Sequence, residues 1–435
     1  MRLFEAGERG FKEYLSKVEQ RVAQDGLRIE REVRSILKDV RQRGDKALVH
    51  YAQVFDGVRV PVHQLQVKRE EIEQAYRNIP RDFLGTLKKA ARRIRRFHRF
   101  VSTRWIESFK EEERGIRLGQ VIRPLERIGI YVPGGKASYP STVLMAAIPA
   151  KVAGVQEILM TTPPRKEGVN PAVLVAADLA GVDHIYRVGG AQAIAALAYG
   201  TASIPKVDKI VGPGNRYVAT AKRLVYGAVD VDMVAGPSEI VIVSDEKTPS
   251  SFVAADLISQ AEHDEMALAI LITTSEGFGR EVRKELKRQL SSLKRGEIAR
   301  ASLDRRGAIL IVKDLEQAME LVNRIAPEHL ELAVQNPLPL IKDVKHAGAI
   351  FLGAHTPEAI GDYLAGPNHI LPTAGTARFS SPLAVEDFIK RTNLMRFTRE
   401  ALRRFGSDVK RFAEGEGLEG HYRAVQMRIR KPKNG

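Results

Sequence analysis

The sequence predicts an α/β protein built on parallel sheets, with a helical arm at its N-terminus and a helical tail at its C-terminus. Three observations carry that expectation. Between Arg127 and Leu352, short apolar runs alternate with stretches of helical periodicity, the pattern of βαβ units. Glycine-rich loops fall where several of these runs hand over to a helical pattern, the position at which open α/β sheets take ligands. The flanking regions, up to about residue 110 and beyond Pro382, are highly charged and lean to helix.

Within the first region, Pro80-Arg81-Asp82 supplies a helix start. Lys88 to Phe100 is very basic, but Ile94, Phe97 and Val101 recur at helical spacing with charges between them. That stretch reads as an amphipathic helix with a solvated basic face. Strands are expected at Ile128–Val132, Glu157–Met160, His184–Val188 and Lys209–Val211, a group ending near Val234. A second group follows at Glu239–Val243, Leu268–Ile272, Ala308–Val312 and Ala349–Leu352. Ala235-Gly236-Pro237-Ser238 is the natural boundary between the two. A helical pattern starts near Ser250, and another runs from Asp314 to Ile325. Pro327 disfavours helix at Ala326, so the second pattern ends there and delivers Glu328 and His329 on a turn. After Pro382 the strand pattern stops. No internal repeat of about 20 to 50 residues is present.

A chain of 435 residues suits about two or three domains. No run approaches the roughly 18 apolar residues of a membrane span, and Met1-Arg2-Leu3-Phe4-Glu5 lacks the apolar core of a signal peptide, so a cytoplasmic location without membrane attachment is expected. The formal net charge of +16 favours an anionic cofactor as readily as nucleic acid. No nucleic-acid-binding signature accompanies it, and no nucleic-acid partner is expected. The absence of cysteine removes disulfides, thiolate nucleophiles and thiolate zinc sites together. Any metal must be held by imidazole, carboxylate or amide groups.

Gln260 and His263, three residues apart, share one helix face and could serve a borderline metal such as zinc. The C-terminal third adds acid and imidazole groups: Glu328-His329, Asp362 with His369, and Glu416 with His421. The glycine loops are Pro133-Gly134-Gly135, Gly189-Gly190-Ala191-Gln192 and Gly212-Pro213-Gly214-Asn215. None is a full G-x-G-x-x-G, because Tyr217 stands where the third glycine of the last loop should be.

In this order, Tyr131-Val132-Pro133-Gly134-Gly135, the Gly189 to Ala198 segment, Gly212-Pro213-Gly214-Asn215, Ala235-Gly236-Pro237-Ser238-Glu239, Gln260 to Glu265, Pro327-Glu328-His329 and Asn368-His369-Ile370-Leu371-Pro372-Thr373 resemble the histidinol dehydrogenase family. The resemblance spans nearly the whole chain and is weakest in the first hundred residues. It implies two incomplete Rossmann-like parallel-sheet domains. Their expected extents are an arm at 1–25, a main α/β domain at 26–128 and 238–380 with the zinc and catalytic residues, an inserted NAD-binding domain at 129–237, and a dimerisation tail at 381–435. It also implies one zinc ion per subunit, held by Gln260, His263, Asp362 and His421, and NAD at Tyr131, Gln192 and Asn215. Contacts to L-histidinol are expected from Ser238, His329, His369, Glu416 and the metal ligands.

Glu328 and His329 are the implied catalytic pair. Oxidising an alcohol to an acid needs a proton taken from the alcohol and a water added to the aldehyde, so two bases are useful: imidazole for the first, carboxylate for the second. The implied reaction is the four-electron oxidation of L-histidinol to L-histidine through L-histidinaldehyde, in a homodimer whose active sites are shared through the tail. Two other readings stay open: a family member acting on another small amino or sulfonated alcohol, and a zinc hydrolase using Glu328 to activate water. The full set of four ligands together with Glu416 and the glycine loops argues against both.

Overall fold

The computed structural model describes residues 1–21, 27–105, 108–134 and 139–430. Gly135, expected in the first glycine loop, lies outside the described residues. The chain is mixed α/β and forms two compact units, one of residues 1–99 and 125–388, the other of 100–124 and 389 onward.

The first unit holds two sheets, parallel throughout. The larger has six strands in the order Arg2–Glu5, Ala308–Ile311, Leu268–Thr273, Glu239–Ser244, His329–Ala333 and Ala349–Leu352. The smaller has five, in the order His184–Arg187, Glu157–Thr162, Arg127–Tyr131, Lys209–Val211 and Asp230–Val231. Parallel neighbours need crossover helices, and helices on both faces demand strands that are apolar on both faces. Glu239–Ser244 and Leu268–Thr273 accordingly are buried at every residue. Alternate residues serve opposite layers. Val241, Val243, Ile270 and Ile272 pack with Phe11, Tyr14, Leu15 and Val18 of helix Arg9–Glu19, while Ile240, Ile242, Ala269 and Leu271 pack with Leu257 and Phe278. The small sheet does the same: Ile128, Ile130, Ile158 and Met160 face helix Pro140–Ala153 together with Leu87, Ala90 and Ile94, and Leu159 and Ile210 face helices Gly190–Tyr199 and Leu27–Arg43.

The second unit is an antiparallel sheet ordered Ile389–Phe397, Ile116–Pro124, Phe109–Glu113, followed by helices Arg399–Gly415 and Glu419–Ile429. Among the described residues no helix is long and apolar enough to cross a membrane.

Every strand expected from the two apolar groups is present, Lys209–Val211 and Ala349–Leu352 with the expected bounds and the others with ends moved by one or two residues. Among the described residues six strands were not anticipated, the first being the two-residue Asp230–Val231, too short to show a pattern of its own. Arg2–Glu5 lies in a region expected to be helical; it is a four-residue edge strand whose state is set by Ala308–Ile311, far away in sequence. The three strands of the second unit carry many charges and little buried surface, and Ile389–Phe397 falls where the strand pattern was expected to have stopped. Their pairing comes from distant partners, not from an apolar run. The sixth is His329–Ala333, so only Glu328 stays on the turn.

Candidate active site

Glu328, His329, Glu358 and Asp362 come together beside the amino-terminal ends of the large sheet's strands Glu239–Ser244 and His329–Ala333. Helix Leu315–Ile325 ends as the sequence predicts, with Ala326 left-handed at φ 49° ahead of Pro327. Glu328 follows on the turn and His329 opens its strand beside Glu239–Ser244. Both side chains lean on the main chain of Glu239. Its N–H donates to Glu328 Oε2 at 2.8 Å, and its carbonyl lies 2.9 Å from His329 Nδ1. A carbonyl only accepts, so Nδ1 carries the proton and Nε2 keeps its lone pair.

Burial acts on the two bases in opposite senses, because it penalises whichever form is charged. It pushes the Glu328 carboxyl well above its usual range, against the bond from Glu239, and the carboxylates of Glu239, Asp362 and Glu358 add to the rise. It lowers His329 to about 4, outweighing Asp362, which favours the imidazolium. His329 is therefore neutral near pH 7.

Helix Glu358–Tyr363 supplies two carboxylates one turn apart, Glu358 and Asp362. Glu358 Oε1 lies 3.7 Å from His329 Nε2 and has no hydrogen-bond partner. Burial, then the neighbouring Asp362, lifts Glu358 to about 9. Asp362 goes the other way: burial would raise it, but the hydrogen bond and charge of His369, with His329 and His263 nearby, bring it down to about 2. His369 Nδ1 is 3.4 Å from Asp362 Oδ1, and Nε2 is 3.3 Å from the Thr142 hydroxyl. Asn368 fixes that segment by donating to the Met145 carbonyl at 2.7 Å while accepting from the Ile370 N–H at 2.9 Å.

Gln260 sits in the last turn of helix Ser250–Ala261, 1% exposed, with both amide atoms buried and unpartnered. A buried amide without partners costs free energy, and a ligand to its oxygen removes part of that cost. His263 lies just beyond the helix, not on its face as expected, because the helix closes at Ala261 with Glu262 as its cap. Ser238 precedes Glu239, and its carbonyl accepts from Leu268 N–H at 2.9 Å. Donor atoms of His329, Glu358 and Asp362 lie within 4.8 Å of one another. Glu416 and His421 belong to the second unit. Both are exposed, Glu416 capping helix Arg399–Gly415 and His421 in the first turn of Glu419–Ile429.

The expected NAD residues gather at the carboxyl ends of the small sheet. Tyr131 ends its strand, its hydroxyl accepting from Gly190 N–H at 3.1 Å, and burial raises it to about 12. Gln192 is buried in the first turn of helix Gly190–Tyr199 with an unpartnered Oε1. Asn215 caps helix Arg216–Val225, accepting from the N–H groups of Tyr217 and Val218, which occupies its amide oxygen and leaves its NH₂ for a ligand. Gly212, at φ 111°, passes so close to the Tyr131 carbonyl that no side chain fits. Its carbonyl accepts from Lys222 Nζ at 2.9 Å and its N–H donates to Asp232 at 2.8 Å, while Lys222 and Asp232 form a buried ion pair.

Sequence reasoning missed Glu239, Glu358, Thr142 and the Lys222–Asp232 pair. For Glu358 a signal existed, since Pro357 starts a helix on which Glu358 and Asp362 share a face. Glu239 gave none, because it acts on the bases through its main chain.

The family model for histidinol dehydrogenase matches residues 19–429 of the chain. A histidinol dehydrogenase from Syntrophotalea carbinolica is 56% identical over 403 residues, covering 92% of this chain and 93% of that protein. One from Bacillus cereus is 55% identical over 428 residues, 97% and 98% of the two. The crystal structure of histidinol dehydrogenase from Elizabethkingia anophelis superposes with a TM-score of 0.92 at 36% identity, covering 99% of this chain and 98% of that one. With the match running from the N-terminal helix to the last described one, the chain belongs to the histidinol dehydrogenase family of oxidoreductases.

Proposed function

We propose that this protein oxidises L-histidinol through L-histidinaldehyde to L-histidine, in the last steps of histidine biosynthesis, with NAD as oxidant and one zinc ion per subunit. The observation that carries the reading is the pair of bases on one main-chain residue: a neutral imidazole with its proton fixed on Nδ1, and beside it a carboxyl made more basic by burial.

The residues fit zinc. Gln260 offers a buried oxygen with nothing else to bind, and Asp362 is anionic across the working pH range. His263 is the third ligand from this chain, and the partner subunit's His421 would be the fourth, in a homodimer whose tail closes the neighbour's site. All are nitrogen or oxygen donors, and a single carboxylate keeps the ion electrophilic. Zinc, when bound, supplies a positive charge that anchors the imidazole and amino nitrogens of the substrate and does no redox chemistry. NAD, when bound at Tyr131, Gln192 and Asn215 in the 129–237 region, accepts the hydrides.

The remaining chemistry belongs to the chain. His329 Nε2 takes the proton of the substrate hydroxyl, and the Glu239 carbonyl on Nδ1 steadies the imidazolium that results. Glu328 takes a proton from the water that adds to the aldehyde. Ser238, His369 and the partner subunit's Glu416 orient the substrate, with His369 held in turn by Asp362 and Thr142. Nothing in this scheme calls for a membrane or nucleic acid, and a cytoplasmic setting suits it. The test is direct: purified protein with zinc, NAD and histidinol at alkaline pH should generate the absorbance of reduced NAD, about two equivalents per histidinol consumed. A flat trace overturns the proposal.

A further inference from the structure

Arg21 contacts none of the residues assigned to substrate, metal or cofactor, yet it is tied to both chain segments that carry the bases. It stands just after helix Arg9–Glu19, and its side chain is 3% exposed against 2% for Glu239. The guanidinium is a fork on the Glu239 carboxylate, with Nε to Oε1 at 2.5 Å and Nη2 to Oε2 at 2.7 Å. Nη2 also donates to the Ile325 carbonyl at 2.8 Å, and Nη1 to the Val18 carbonyl at 2.7 Å. Ile325 is the last residue of the helix that leads through Ala326 and Pro327 to Glu328. Glu239 is the residue whose N–H holds Glu328 and whose carbonyl holds His329.

One planar group thus spans two independent approaches to the site. Arg21 joins the strand start at Glu239 to the helix end at Ile325, and a guanidinium fixes direction as well as distance. We infer that Arg21, acting through Glu239 and Ile325, is a positioning residue that sets the registry of Glu328 and His329 and holds His329 in the Nδ1–H form. The inference rests on the proposal that these two residues are the bases. It differs from mere stapling of the N-terminal helix, because the residue that Arg21 grips holds both bases, Glu328 through its N–H and His329 through its carbonyl.

The experiment uses the zinc-loaded enzyme. In Arg21→Met with Glu239→Leu, both charges leave together, so no buried ion is stranded. The expected result is a fall in kcat of about ten- to a hundredfold with KM for histidinol and for NAD changed less than about threefold, since a small misplacement of a reacting group costs rate and not binding. Nitrogen-15 spectra of the histidine rings, with His329 identified by its loss in His329→Asn, should show a single Nδ1–H form in the wild type and a mixture in the double variant. Should the double variant fail to fold, Arg21→Lys replaces it: the ammonium keeps Glu239 paired but cannot span both its oxygens and the Ile325 carbonyl, and the same changes are expected in smaller measure. Wild-type kcat, or an unchanged tautomer, in whichever variant folds overturns the inference. If His329→Asn itself retains full activity, the assignment of the bases has failed instead, and the two failures are distinguished.

Discussion

Glu328 and His329 are adjacent in sequence and nearly equal in burial, but the same desolvation makes one a better base and keeps the other uncharged. Their roles should therefore separate. Glu328→Gln keeps the shape and the bond from Glu239 but loses basicity, so oxidation of histidinaldehyde should fall by about two to four orders of magnitude while its reduction to the alcohol suffers far less. Supplying the aldehyde with NAD or with reduced NAD isolates the two directions; equal losses would refute the division. Metal retention makes a second prediction at this scale. Asp362→Asn should lose zinc on dialysis, whereas His329→Asn should retain it although inactive, as elemental analysis would show, because His329 Nε2 is needed as a lone pair for the proton. Zinc lost equally from both would make His329 a ligand. The sequence exposes such residues when their side chains are unusual in context: Glu328 and His329 after a helix-ending proline, Asp362 and His369 in a cluster. It does not expose Glu239, whose contribution to the bases is an N–H and a carbonyl that any residue possesses, nor the burial that separates the two pKa values.

At the scale of elements, helix Arg81–Trp105 contains a histidine with an acid-dependent cost. His98 is 2% exposed, its Nε2 has no partner, and burial lowers it to about 4 from 6.5. Below about pH 6.5 the unfolded chain takes up a proton that the folded chain refuses until about pH 4, so folding stability should fall across that window, by about 3 kcal/mol in full. Denaturant unfolding of wild type and His98→Phe from pH 7.5 to 4.5 checks this: other groups cancel in the difference, and the variant should lose less stability on acidification. The Gly212 loop gives another prediction. Lys222→Met would strand the Asp232 carboxylate and release the Gly212 carbonyl, costing about 3–5 kcal/mol of stability. It should also raise KM for NAD about tenfold while KM for histidinol barely moves, as initial rates with each substrate varied would reveal. Elements of this kind were legible where periodicity is long and local. The parallel strands declare themselves as apolar runs because both faces are covered, whereas Arg2–Glu5 and Ile389–Phe397 are strands only by virtue of Ala308–Ile311 and Ile116–Pro124, and no window along the chain contains that information.

At the scale of the whole molecule, Glu416 and His421 of the second unit are exposed, and Met395 of its strand Ile389–Phe397 and Phe412 and Met427 of its two helices are more than two-thirds exposed. If each active site takes His421 from the neighbouring subunit, His263→Ala and His421→Ala homodimers should both be nearly inactive. A mixed dimer has one site with both lesions and one with neither. Co-refolding equal amounts should thus restore about a quarter of wild-type activity if chains assort randomly. Mixtures proven to contain heterodimers yet lacking activity would put His421 in its own chain's site. The fold class was readable from residue patterning, whereas the expected homodimer came only from the family resemblance, because a surface that would meet another copy has no partner within the chain to leave a periodic trace.

The two candidate ligand regions use opposite ends of their sheets, and this gives the molecule an internal polarity. In a parallel α/β sheet the carboxyl ends of the strands face helix N-termini, here those of Gly190–Tyr199 and Arg216–Val225, each carrying about half a positive elementary charge. The amino ends of the large sheet's strands face helix C-termini instead, at Gln260 and Ile325, where the sign is reversed. A pyrophosphate is welcomed at the first end and discouraged at the second; a metal dication or an ammonium meets the contrary treatment. Free phosphate is thereby disfavoured in the region that would hold zinc, and stray cations at the loops that would hold the nucleotide, so each region leans against the other's ligand before any side chain makes contact.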